Sequence, residues 1–165
     1  MDTIPRILVE MFEHESNQAR FVLAAADGVD SQFSPYEDMR SLEDLANHLA
    51  QIPILDFKFY SKEFEDFEEV QKIETELKRS SIKEMLEVLD KGIVTVKNHL
   101  SSLTDEEVLK DNLKAFYEQG PEKSWSEYIP EMTTHLAMHK MQLWMYLKMA
   151  GAPVSMWTYY GVPRE

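Results

Sequence analysis

The chain contains no cysteine. That absence removes disulfides, thiolate metal ligands and cysteine nucleophiles together, so any reactive centre must be built from nitrogen and oxygen donors. Basic charge is also scarce: 17 Lys and Arg stand against 30 Asp and Glu, a formal net charge of −13. A phosphate-binding face needs clustered cations, and here they are scattered, which argues against a nucleic-acid partner. No apolar run approaches the roughly 18 residues of a membrane span, and residues 1–10 lack a basic-then-apolar leader pattern. A cytoplasmic protein is the simplest expectation. Strand signals, internal repeats and low-complexity segments are almost wholly missing.

Hydrophobic residues make up 44% of the 165 positions, which suits a folded chain with a core and excludes disorder. No composition break divides the chain, so residues 1–165 read as a single domain. Helical periodicity marks four principal helices. The first spans 4–26, with Ile4, Ile7, Leu8, Met11, Ala19, Val22 and Ala25 near one face and Gly28 just past its end. The second begins at Ser41, an N-cap followed by acidic Glu43 and Asp44 that suit the helix dipole. Pro53 is expected to kink or end it. The third spans 81–103 and opens with the capping pair Ser81 and Glu84. The fourth spans 126–150, with Pro130 near its start and Gly151 and Pro153 closing it.

Four helices of this length pair naturally into an all-α four-helix bundle. The stretches 61–80 and 104–124, after the second and third helices, are long connections able to cross it. The second of them opens with Thr104-Asp105-Glu106-Glu107, which looks like a short extra helix. The acidic run from Glu63 to Glu69 reads as solvated surface, because it lacks the turn residues of a cation-binding loop. The aromatic tail with Trp157, Tyr159 and Tyr160 is expected to pack back on the bundle or on a partner.

The chemistry concentrates in histidines. His135 and His139 stand one turn apart in the last helix, about 5–6 Å apart at Cβ and on one face. At about 100° per residue, Tyr128, Met132, His135, His139, Gln142 and Tyr146 fall within roughly 80° of one another, on one flank of the apolar stripe. His48 lies among Leu45, Leu49, Ile52 and Leu55, on the inward side of its helix. Imidazoles that turn inward need a hydrogen-bond partner or a metal, and three of them with an open fourth position form the ligand set of a catalytic divalent site. His14 and His99, at the edges of their apolar faces, read as half-exposed structural residues. The ten methionines read as core filler.

The segment "SLEDLANHLA", followed much later by "HLAMHKMQLWMYLKMAGAPV", resembles the DinB/YfiT-like family of metalloenzyme-type proteins. Its specific part is His48, His135, His139, Gln142 and the helix end Leu147 to Gly151, and the likeness covers nearly the whole chain in helix order. The resemblance implies a four-helix bundle that often forms a homodimer, with His48, His135 and His139 holding zinc or nickel. It implies either transfer of a low-molecular-weight thiol such as bacillithiol or mycothiol, or hydrolysis of a small molecule. Met141 stands where many relatives carry Gly, and Lys148 where many carry Arg. Neither change removes a ligand, but Met141 narrows the expected approach.

Three neutral ligands leave the full charge on the ion. For zinc that brings the pKa of a coordinated water to about 7, and a substrate thiol would be activated in the same way. The zincin mechanism is excluded, since no glutamate follows the first histidine of His135-Leu136-Ala137-Met138-His139. Glu15 and Gln18 fall inside the apolar stripe of the first helix. They form either a polar contact at the bundle rim or part of the pocket, where Glu15 would serve as a general base. Gln142 is expected to hold a neighbouring helix or orient a ligand, and Tyr146 to line the pocket. The alternative to an enzyme is a non-catalytic bundle that binds a metal or small ligand in a stress response.

Overall fold

Side-chain caps fix most helix starts in the computed structural model, which describes residues 3–162. Helix α1 (Ile4–Ala24) has Pro5 in its first turn, where a missing N–H goes unnoticed. Helices α2 (Leu42–Tyr60), α3 (Phe67–Leu77), α4 (Ile82–Ser101) and α5 (Asp105–Val108) open on Ser41, Asp66, Ser81 and Thr104. Each of these four caps accepts a hydrogen bond from the backbone N–H three residues on, satisfying a donor that the helix leaves free. Helix α6 (Trp125–Met149) follows, with the Glu127 carboxylate accepting from the Ser124 N–H at 2.9 Å. It closes on Gly151 at φ 81°, which lets the Ala152 and Gly151 N–H groups reach the Leu147 and Lys148 carbonyls. A short α7 (Met156–Tyr159) ends the series. No strand forms among the described residues; one isolated bridge joins Leu113 and Lys123.

The protein is all-α. Its four long helices pack in a ring, α1 and α2 each lying against both α4 and α6. Their inward stripes merge into one principal core containing Phe12, Val22, Leu45, Leu49, Leu89, Val96, Met132 and Leu136. None of the helices is long and apolar enough to cross a membrane, among the described residues.

Two expectations change. Pro53 does not end α2, which continues for seven residues beyond it. The lost hydrogen bond is tolerated because both sides of the proline are packed. Leu49, Ala50, Ile52, Leu55 and Tyr60 are buried, and α4 comes in close at Gly92, where an added Cβ would sit 2.8 Å from the Pro53 Cβ. The second change is α3, which occupies much of the stretch expected to be a connection, with the end of the acidic run as its first turn. Its apolar residues Phe67, Val70, Ile73 and Leu77 recur at helical spacing, and Val70, Ile73 and Leu77 pack on a small cluster with Leu55 and Phe64, although only Val70 of the helix is fully buried. Helix α2 also holds it through the backbone: the Gln51 amide donates to the Glu74 carbonyl at 3.1 Å, and just past the helix Asn47 clamps the Arg79 backbone with two 2.8 Å bonds.

The tail packs back. Helix α7 rests on α1 and α6, and the Trp144 indole donates to the Ser155 carbonyl at 3.0 Å. Trp157 and Tyr160 nevertheless remain largely exposed.

A candidate metal centre between two helices

Helix α6 lies between α1 and α2 and offers each a different flank. His135, His139 and Gln142 lie within about 60° of one another by helical phase, and this flank faces α2 at His48. The ring centroids of His48 and His139 are 4.4 Å apart, those of His135 and His139 5.0 Å, and those of His48 and His135 5.5 Å. One ring nitrogen from each residue lies within 4.8 Å of the others. All three rings are half-buried, so the group sits at the edge of the core rather than sealed inside it.

Two of the three imidazoles are oriented from behind. His135 Nδ1 is 2.9 Å from the Asp56 carboxylate, and His139 Nδ1 is 2.9 Å from the Gln142 amide oxygen. An oxygen acceptor requires the proton on Nδ1, leaving the Nε2 lone pair of each ring available. His48 makes no hydrogen bond among the described residues. Burial, and secondarily the neighbouring imidazoles and Arg40, hold the His48 pKa down to about 3. Burial also lowers that of His139, although the Gln142 contact opposes it. Both rings are therefore neutral at physiological pH, the form that binds metal. Asp56 is nearly fully buried, and its pKa is raised by that burial against the opposing pull of His135.

The other side chains considered from the sequence divide. Gln142 joins the histidines as a partner of His139. Glu15 and Gln18 come together elsewhere, around Lys140 on the opposite flank of α6. The Lys140 ammonium is 2.6 Å from a Glu15 carboxylate oxygen and 2.6 Å from the Gln18 amide oxygen. Gln18 also reaches His14 at 2.9 Å. Lys140 follows His139 by one residue, so the two point about 100° apart, and Lys140 faces α1. Tyr146 shares the histidine phase but lies two turns on, buried edge-on to Phe33 with its hydroxyl unpartnered among the described residues. His14 is exposed. His99 is half-buried between Phe57 and Trp125, away from the three-histidine group.

Asp56 is the functional candidate that sequence reasoning missed. It was visible as a carboxylate eight residues after His48, in phase with Ile52 on the inward side of α2. Nothing in the sequence names its partner on α6, 79 residues away. Volume alone would also have misled: clefts of about 670, 460 and 390 Å³ contain none of these histidines.

The chain matches no protein-family model and no curated protein. Its own donor set therefore carries the metal assignment. Three imidazoles, two of them braced, with one ring nitrogen each within 4.8 Å of the others, are a donor set compatible with a divalent ion.

Proposed function

We propose that this protein is a divalent-metal-binding helical bundle of the DinB/YfiT-like type, acting on a small molecule at a centre formed by His48, His135 and His139. The observation that carries the proposal is the convergence of three ring nitrogens within 4.8 Å on a half-buried face. Zinc or nickel suits such a nitrogen set. The ion would supply Lewis acidity and ease deprotonation of a coordinated water or thiol. The chain's own part is to hold the donors neutral, to fix two rings through Asp56 and Gln142, and to leave the site open on one side. Hydrolysis and thiol transfer both follow from that arrangement. Glu15 is bound up with Lys140, so a general base in this reading must be supplied by solvent or substrate.

Metal content tests it. Tag-free protein should bind one zinc or nickel ion, and His48→Ala or His139→Ala should lose more than 100-fold in affinity. His14→Ala and His99→Ala should bind as the wild type does. Equal metal content in all four variants would remove the assignment.

We also propose a homodimer. Met138, Met141, Met145 and Met149 are 42–58% exposed and fall within about 80° on the outer face of α6. Such a contiguous apolar stripe favours association. Light scattering should give twice 19.3 kDa, and Met141→Glu with Met145→Glu should return the monomer mass. A wild-type mass of one chain across a wide concentration range would end this reading.

A further inference from the structure

We infer that Arg40 binds an anionic group on the small molecule that occupies the three-histidine centre. The inference rests on the metal reading and adds a substrate class to it: a compact ligand with a metal-coordinating head and a carboxylate or similar anion nearby.

Arg40 has no direct partner among the described residues of a strongly acidic chain, although its charge acts at a distance on Asp44. It lies in the loop before the Ser41 cap, is exposed, and makes no hydrogen bond or ion pair among the described residues. It stands beside His48, the two sharing the wall of one cleft. A divalent ion at the histidines would then face a second positive charge across that cleft. That juxtaposition is unfavourable unless an anion lies between the two and interacts with both.

A cleft of about 230 Å³ lies at this place, with Arg40 and His48 both in its wall. That size suits a compact small molecule. Its remaining polar walls are largely spoken for. Lys78 is paired with Asp44 at 2.9 Å, Asn47 with the Arg79 backbone, and Gln51 with the Glu74 carbonyl. The Glu74 carboxylate also borders the cleft, so the cleft is not uniformly cationic. Anion recognition falls to Arg40, whose planar fork matches a carboxylate.

Cobalt(II)-loaded protein provides the test, because thiolate coordination to cobalt gives a charge-transfer absorption that reports binding directly. 3-Mercaptopropionate and 2-mercaptoethanol are titrated against the wild type, Arg40→Gln and Lys78→Gln. The wild type should prefer the carboxylate-bearing thiol about tenfold over the ratio seen in Arg40→Gln, and Lys78→Gln should keep the wild-type preference. Cobalt content and mercaptoethanol affinity should not change in Arg40→Gln. The preference should shrink as salt rises, since the guanidinium is exposed. Bound cobalt with the same thiol ratio in wild type and Arg40→Gln would overturn the Arg40 assignment alone. Failure of the wild type to bind cobalt would instead overturn the metal reading, and this inference with it.

Discussion

Helix α6 carries a polar cluster on each side of its apolar face, and the two resolve the cost of burial in opposite ways. Toward α1, Lys140 is only 2% exposed and is surrounded by Glu15, Gln18 and the face of the Tyr159 ring, 4.1 Å from the ring centroid. There a carboxylate and an amide oxygen face the side-chain nitrogen directly. Toward α2, burial favours the neutral form of His48 and His139 instead, and the outward nitrogens of the three histidines have no protein partner among the described residues. A buried charge with its counter-ion in place has little left to offer a ligand. Neutral donors held together without acceptors have a great deal. The difference separates a structural clasp from a candidate binding centre, although both are built from ionisable groups on adjacent residues.

Three measurements sharpen that contrast, beginning with the largest effect. Lys140→Met should destabilise the protein by about 3 kcal/mol, because it strands the Glu15 carboxylate at a mostly buried position. In a chain of this size that lowers Tm by about 6–12 °C. Metal affinity should be unchanged, and adding Glu15→Gln should recover most of the loss. If Lys140→Met instead released metal at unchanged stability, the two clusters would have to be one site.

Asp56→Asn removes the charge behind His135 while keeping the side chain's shape. Metal affinity should fall about 10–100-fold, the usual result of losing a carboxylate that orients a ligating histidine. Calorimetric titration with zinc measures this, and wild-type affinity in the variant would show that Asp56 does not brace the ligand.

The smallest effect concerns pH in the metal-free protein. Unfolded His48 takes up a proton near its ordinary value of 6.5, whereas in the fold it stays neutral down to about 3. Between those values the unfolded chain holds more protons, so stability falls as pH is lowered through that window and is fully present above it. Asp56 acts with the opposite sign, since its raised pKa lets the fold hold a proton that the unfolded chain has released. The informative quantity is therefore the difference between wild type and His48→Ala. Thermal melts from pH 7 to pH 4 should show a shallower loss in the variant, and identical slopes would mean that His48 is not buried against protonation.

Local rules in the sequence determined a good deal of this protein. Ser41, Ser81 and Thr104 announced helix starts because a cap needs only its own first turn. Gly151 marked the end of α6 because a left-handed position favours glycine. The spacing of His135 and His139, and the inward phase of His48, followed from the helical period alone. Tertiary packing decided the rest. Whether α2 could pass through Pro53 depended on Gly92 of α4. Where α3 would dock depended on Leu55 and Phe64 receiving its apolar side and on Asn47 and Gln51 capturing backbone groups in and just after it. The choice of Lys140 rather than a metal as the partner of Glu15, and of Asp56 as the brace for His135, depended on which flank of α6 faced which neighbour. Helical phase gives the direction of a side chain about its own axis, but it carries no information on what stands opposite; only the packing of the other helices supplies that.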